Sequence, residues 1–388
     1  MQVLIQSAFN GLSVGSVLLI AALGLAVIFG LMGVINLAHG EFIMLGAYTT
    51  HVVQNAFRAA LGEASPLFEL YLLAALPVAF AVNALVGLAL EQGIVRHLYG
   101  RPLDTLLATW GVSLILRQFV RSASWALVAG MVLFGLLFGG AIAVLRYRRQ
   151  WPALRGRATA VLLPLALGIA AAAGMALAQT GPAAISEPWF GSTNVSVTVP
   201  SWLRGGLPVG EMQFPYTRLF ILALTAACVA ATYWFLRRSR WGLRIRAVTQ
   251  NRRMSACLGI PTRTVDALTF ALGSGLAGLA GVAVSLLGSV GPNVGQNYII
   301  DTFMVVVVGG VGSLVGSIAA ALGIGTLTYT IGSGVLPLLL EGIELLQPLA
   351  EGLRFFATNS MAKVLVFALI VVFLQFRPQG IFPQRSRA

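Results

Sequence analysis

The chain has 388 residues, of which 58% are hydrophobic and 10% charged, against about 45–50% apolar and about 25% charged residues in an ordinary soluble domain. Apolar runs of at least 16 residues recur from Leu12 to Phe376, and a bilayer core asks for about 20 per helix, so a soluble fold is excluded and an all-α polytopic membrane protein is predicted. The formal charge is +13, and Lys363 is the sole lysine among 25 basic residues; arginine in so apolar a chain marks cytoplasmic loops, not a nucleic-acid surface.

In chain order, hydropathy predicts spans near 12–33, 36–57, 70–92, 103–120, 125–145, 159–179, 217–236, 264–288 and 361–376. The opening MQVLIQSAFN lacks the positive segment of a secretory signal, so the first span is expected to be retained. The stretch 298–333 contains Gly309, Gly310, Gly312 and Gly316. Glycines break a helix more readily than they continue one, so it is split into a short helix and a full one, for about eleven crossings.

The loop 237–263 holds eight arginines and is placed inside; alternation then puts eighteen of the 25 basic residues on the same side. These include Arg96 and Arg101, the group from Arg146 to Arg157, and Arg377, Arg385 and Arg387 of the tail. The N-terminus is expected outside and the C-terminus inside, with 181–216 and the acidic segment 334–360 on the exterior. A single crossing over 298–333 would put the arginine tail outside, so parity favours the split.

The segment 36–57 opens Asn-Leu-Ala-His-Gly-Glu after a very short link, which suggests a broken or re-entrant helix. Asn36, His39 and Glu41 have two readings: capping a helix start, where free N–H groups favour a carboxylate, or lining a pathway. Asp301 and Thr302, read as opening the short helix before Gly309 and Gly310, carry the same two readings. Met44, Phe303 and Met304 are expected to pack helices. Gly273, Ala277 and Gly281, with Ser274 and Gly278, recur every four residues and predict close helix packing, within the chain in preference to a dimer seam.

The loop RRSRWGLRIRAVTQNRRMSACLGIPTR (237–263) has Ala247, Met254 and Leu258 at helical spacing and ends on Gly259 and Pro261. It predicts one amphipathic helix over 247–258, about 18 Å long, lying either on anionic lipid or in the groove of a cytoplasmic partner. Cys228 in an apolar run and Cys257 in this loop predict neither a disulfide nor a metal site. A phosphate-binding loop needs a lysine after its glycines, and Lys363 follows Met-Ala inside a span. With three histidines in all and no nucleophile grouping, enzymatic chemistry is not expected.

These residues carry a resemblance. Gly242, Arg246-Ala247, Ala256 and Leu258-Gly259-Ile260 resemble the coupling loop of permeases in bacterial ATP-binding-cassette importers of the branched-chain amino acid type. GLMGVINLAHGEFIMLGAY (30–48) is similar to that family's second-helix signature, and DTFMVVVVGGVGSLVGS (301–317) to its glycine-rich one. Within the family, RPLDTLLATWGVSLILRQ (101–118), GPNVGQNYIIDTFMVVV (291–307) and FRPQGIFP (376–383) look closest to the urea transporter permease.

The resemblance implies a coupling surface of Arg246, Ala247, Val248, Met254, Ala256, Leu258, Gly259 and Ile260. It implies a second permease subunit, two cytoplasmic ATPases that carry the ATP and magnesium, an external substrate-binding protein, and a multi-pass location in the bacterial inner membrane. No cofactor is expected in this chain. Urea is the expected solute, with branched-chain amino acids or short amides as the alternative.

The resemblance covers roughly 5–122 and 189–388. Residues 123–188 read as an inserted transmembrane hairpin, leaving a nine-crossing core. Its first half is expected over 1–122 and its second over 217–388, after an external loop at 189–216. An inserted pair preserves downstream parity. An ion-coupled secondary transporter would need carboxylates on broken helices in related halves; Glu41 and Asp301 are its argument, but no inverted repeat is apparent. A passive channel offers no reason for an eight-arginine loop.

Overall fold

The computed structural model describes residues 2–63, 65–147, 151–180, 182–191, 193–209, 212–340, 347, 352 and 354–382. Arg148, Arg149, Arg385 and Arg387 lie outside the described residues, as do 341–346, 348–351 and 353 of the acidic segment. The helices, in order, are α1 (Gln2–Met32), α2 (His39–Leu61), α3 (Tyr71–Gly93), α4 (Pro102–Ser122), α5 (Trp125–Tyr147), α6 (Trp151–Thr180) and the short α7 (Ala183–Ser186). Strands β1 (Gly206–Val209) and β2 (Met212–Pro215) then pair antiparallel within the segment expected as an external loop. There follow α8 (Tyr216–Arg238), α9 (Arg240–Gln250), α10 (Arg252–Cys257), α11 (Thr262–Leu287), α12 (Val294–Gly309), α13 (Leu314–Gly332), α14 (Val335–Leu340) and α15 (Asn359–Phe376).

Each of the eleven predicted spans corresponds to a helix. Among the described residues six segments are long and apolar enough to cross a membrane: Ile5–Met32, Pro66–Gly93, Trp125–Ile142, Tyr216–Arg238, Thr262–Leu287 and Leu314–Gly332. Pro164–Thr180, Val294–Gly309 and Ser360–Phe376 are apolar but shorter. The protein is a polytopic helical membrane protein.

The chain divides into two compact units, one of residues 1–113 and 195–388, the other of 114–194. In the first, α1 and α11 form the centre; about four-fifths of the apolar window of each is buried. A helix apolar all round must be surrounded, and α1 has no charged residue at all. Ile20, Leu23, Ile28, Phe42, Ile43 and Phe270 make one cluster of its core, and Leu25, Val305, Val306, Ala321 and Val366 another.

Helices approach this closely because glycines remove side chains at the crossings. A Cβ on Gly24 would sit 2.4 Å from the Gly273 carbonyl, and one on Gly46 2.2 Å from that of Gly278. One on Gly281 would meet the Ile43 carbonyl at 2.2 Å. The small-residue stripe of α11 thus seats α1 and α2 within the chain, where lipid offers no hydrophobic drive and dispersion between close backbones must hold helices together.

Two breaks correspond to sequence expectations. α1 stops at Gly33, whose φ of +67° suits glycine and whose N–H donates to the Phe29 carbonyl at 3.0 Å. After Ala38 the helix α2 runs unbroken for 23 residues, about 35 Å at 1.5 Å per residue, so the break lies before the segment and not within it. The glycine-rich stretch is split as expected, between Gly309 and Leu314, with Ser313 accepting from the Gly316 N–H at 3.1 Å as cap. This turn lies beside Gly30 of α1. Thr249, just before α10, donates to the Leu31 carbonyl at 3.0 Å, so residues 237–263, the 310–313 turn and the C-terminal segment that covers it share one end of the bundle.

In the second unit α5 and α6 cross at Gly130 and Gly174, and Trp125 meets Trp189 edge-on with ring centroids 5.0 Å apart. The Trp189 N–H donates to the Ala123 carbonyl at 2.7 Å, bringing the two ends of the proposed insertion together.

Candidate functional site

The loop 237–263 does not form the single helix expected over 247–258. It folds as α9 and α10 with a break at Asn251, which takes φ −153° and ψ 97° and caps α10 by accepting from the Met254 N–H at 2.9 Å. An asparagine that competes for backbone N–H groups favours a cap over a helix interior. Ser239 caps α9 in the same way, accepting from the Gly242 N–H at 2.8 Å. Gly242 is required there, since a Cβ would sit 2.4 Å from the Phe235 carbonyl. Gly259, at φ +80°, ends α10, and the Ile260 N–H returns to the Ser255 carbonyl at 3.0 Å.

Ile245 and Val248 face inward against Val265, with Ile260 half-buried beside them. Val248 is therefore a packing residue. Arg246, Met254, Ala256, Leu258 and Gly259 are exposed and Ala247 is half-buried; Met254 and Leu258, 58% and 75% exposed, form an apolar pair within an arginine-rich surface. Large exposed apolar side chains rimmed by charge mark interaction surfaces.

α10 is tied to the bundle by charge. Arg252 lies 2.5 Å from the buried carboxylate of Asp266 on α11 and stacks over Tyr99, with its guanidinium carbon 4.9 Å from the ring centroid. The Tyr99 hydroxyl donates at 3.3 Å to Glu91, which is fully buried at the end of α3 and also pairs with Arg96 at 3.2 Å. Burial, aided by the carboxylates of Asp266 and Glu91, pushes the Tyr99 phenol well above its ordinary range, so it stays protonated and keeps donating. Sequence reading missed this cluster because Arg252 and Asp266 lie more than 150 positions beyond Glu91, Arg96 and Tyr99 along the chain.

Asn36, His39 and Glu41 come together in the core of the first unit. The Asn36 carboxamide oxygen accepts from the Ala38 N–H at 3.0 Å, a His39 ring nitrogen lies 3.0 Å from the Ala21 carbonyl, and Glu41 accepts from the Ser113 hydroxyl at 2.9 Å. All three side chains are essentially inaccessible. Gly40 touches the 291–307 motif, where a Cβ would meet the Gly295 carbonyl at 2.3 Å.

Asp301 and Thr302 do not open their helix. α12 begins at Val294, after Pro292 and Asn293, which places Asp301 eight residues in. Thr302 donates to the Tyr298 carbonyl at 2.6 Å, and Asp301 accepts from the ammonium of Lys363 on α15 at 2.7 Å. Lys363 was overlooked as a site residue, yet the sole lysine within an apolar run is a signal that a buried acid awaits it. The pair lies on a cavity of about 680 Å³ lined by Val17, Gln296, Asn297, Ile324 and Phe367 among others. Gly309 and Gly310 stand at the break between α12 and α13, and the C-terminal segment seats beside them: the Ile381 N–H donates to Val308 at 2.8 Å and the Phe382 N–H to Gly309 at 3.3 Å.

Helices packed at glycines, an arginine-rich two-helix loop and an ion pair between two apolar helices are the features of a polytopic helical membrane protein. The chain belongs to the family described as branched-chain amino acid transport system permease component, whose model matches residues 7–126 and 111–374. It is 25% identical over 379 residues to the high-affinity branched-chain amino acid transport system permease protein BraD of Pseudomonas aeruginosa, covering 97% of this chain and 95% of that one. It is 24% identical over 388 residues to LivH, of the same description, from Escherichia coli K12, covering 97% and 94%. No solved structure matches significantly. Membership makes the chain a transport subunit and not an enzyme.

Proposed function

We propose that this chain is a permease subunit of an ATP-binding-cassette importer in a bacterial inner membrane, working with a second permease, two cytoplasmic ATPases and an external binding protein, and that its solute is urea. The observation that carries the coupling role is the exposed pair Met254 and Leu258 on a surface held to the bundle by Arg252 and Asp266. An ATPase that grips this surface and moves on ATP binding would pull on α11 and, through Tyr99 and Glu91, on α3, shifting the bundle between outward-open and inward-open states. Residues 237–263 are then cytoplasmic, in accord with their arginines.

Support for urea comes from the motifs at 101–118, 291–307 and 376–383. Branched-chain amino acids are the second reading, favoured by the descriptions of the two relatives. Radiolabelled urea uptake by cells with the complete transporter, with and without an intact ATPase and with excess leucine, separates them. ATPase-dependent uptake that leucine leaves unchanged is expected. Inhibition by leucine shifts the solute to amino acids, and ATPase-independent uptake overturns the importer reading.

A further inference from the structure

The cavity beside Asp301 and Lys363 lies between α1, α12, α13 and α15, near Leu287 at the far end of α11 from the 237–263 loop. On the importer reading, on which this inference rests, that is the side from which solute arrives. The Lys363 side chain is 43% exposed and that of Asp301 9%, so the ammonium reaches the cavity while the carboxylate forms its floor. The remaining walls are largely aliphatic, with the carboxamides of Gln296 and Asn297 at one edge.

We propose that this cavity is a solute-binding site for a small neutral amide such as urea, which bridges the Asp301–Lys363 pair and is oriented by Gln296 and Asn297. An ammonium has three donors and a carboxylate about four acceptor positions. Their single mutual bond of 2.7 Å leaves capacity of both kinds side by side. A solute carbonyl accepts from Nζ while its N–H donates to the carboxylate, so it is held without separating the pair. Any small amide carries both functions on one carbon, urea among them.

The same arrangement rejects ions. An anion that captures Lys363 strands a carboxylate of low exposure, and a cation that captures Asp301 strands the ammonium; an unpaired charge in apolar surroundings is heavily penalised. The pair thus selects against solutes that carry a single net charge.

The test uses the complete transporter in proteoliposomes, reading radiolabelled urea uptake and ATP hydrolysis stimulated by urea-loaded binding protein. The double substitution Asp301→Asn with Lys363→Gln leaves no unpaired charge, so the fold survives while the strong donor and acceptor are lost. Uptake is expected to fall at least tenfold with stimulated hydrolysis within twofold of the original, and Gln296→Leu to lower uptake severalfold. Unchanged uptake in both variants overturns the site. Parallel loss of hydrolysis, or of the protein from the membrane, assigns the pair to holding α15 on α12 and overturns it too. A failure of the importer reading shows in the unaltered chain, as absent ATP-dependent urea uptake, whereas a failure of the site alone shows only in the variants.

Discussion

Arg252, the first residue of α10, and Asp266, in the second turn of α11, are joined at 2.5 Å, with the carboxylate buried and the guanidinium nearly half exposed. Arg252→Ala strands a buried carboxylate, and breaking such pairs costs about 3–5 kcal/mol when both members are buried. Partial exposure of the arginine lowers the expectation to about 2 kcal/mol, read as a drop in the unfolding temperature of the detergent-purified protein. The exchange Arg252→Asp with Asp266→Arg is expected to recover much of the ATP-driven uptake that either single change loses. Failure of the exchange to outperform both singles would remove the pair from the coupling path.

Met254→Asp and Leu258→Asp change side chains that touch little of the fold, so stability should stay within about 0.5 kcal/mol. If an ATPase docks here, its co-purification with the permease and solute uptake should both fall at least tenfold. Normal uptake by the double variant would relocate the docking surface. These positions test docking better than Gly259, whose φ of +80° makes any replacement strain the turn.

Glycines of two kinds are expected to behave oppositely. A side chain at Gly46 collides with the α11 backbone, 2.2 Å from the Gly278 carbonyl, whereas Gly111 in α4 has nothing within 4 Å. Gly46→Val is expected to abolish the folded protein. Gly111→Ala should stabilise it by about 0.5–1 kcal/mol, since alanine loses less conformational freedom in a helix. Membrane yield and thermal unfolding in detergent read both.

The C-terminal segment 376–382 closes on the end of α12, where the Ile381 and Phe382 amides donate to the Val308 and Gly309 carbonyls. A Cβ on Gly380 would meet the Gly310 nitrogen at 2.7 Å, so Gly380→Val should unseat the segment and cost about 2 kcal/mol, comparable to two lost hydrogen bonds. Protease sensitivity of the tail should rise accordingly; an unchanged digestion pattern would count against this seat.

Deleting residues 124–188 should be tolerated, because Ala123 and Trp189 are already hydrogen-bonded neighbours at 2.7 Å. Uptake close to that of the full chain is expected. Abolished uptake by a deletion variant that still assembles would give the hairpin a role in transport.

Hydropathy and glycine counting alone located every long helix and the split after Gly309, because membrane helices advertise themselves locally by apolar length and by the residues that break them. Arginine density likewise singled out 237–263. The interior of that loop was misjudged: helical spacing of Ala247, Met254 and Leu258 suggested one helix, while the local preference of Asn251 for capping produced two, and the buried face turned out to be Ile245 and Val248. Asp301 was misread as a helix start since apolar Val294–Ile300 reads equally well as loop or helix until packing decides.

Composition and order determined that this protein is a helical bundle with a cationic loop, since each of these is set by short-range chemistry. Tertiary structure alone decided which residues meet: Lys363 with Asp301 across 62 positions, Arg252 with Tyr99, the tail with the 310–313 turn, and His39, Asn36 and Glu41 with their partners in the buried core. Such partnerships depend on how helices cross. The crossings are set by where glycines let two backbones touch, and a linear sequence does not display that pairing.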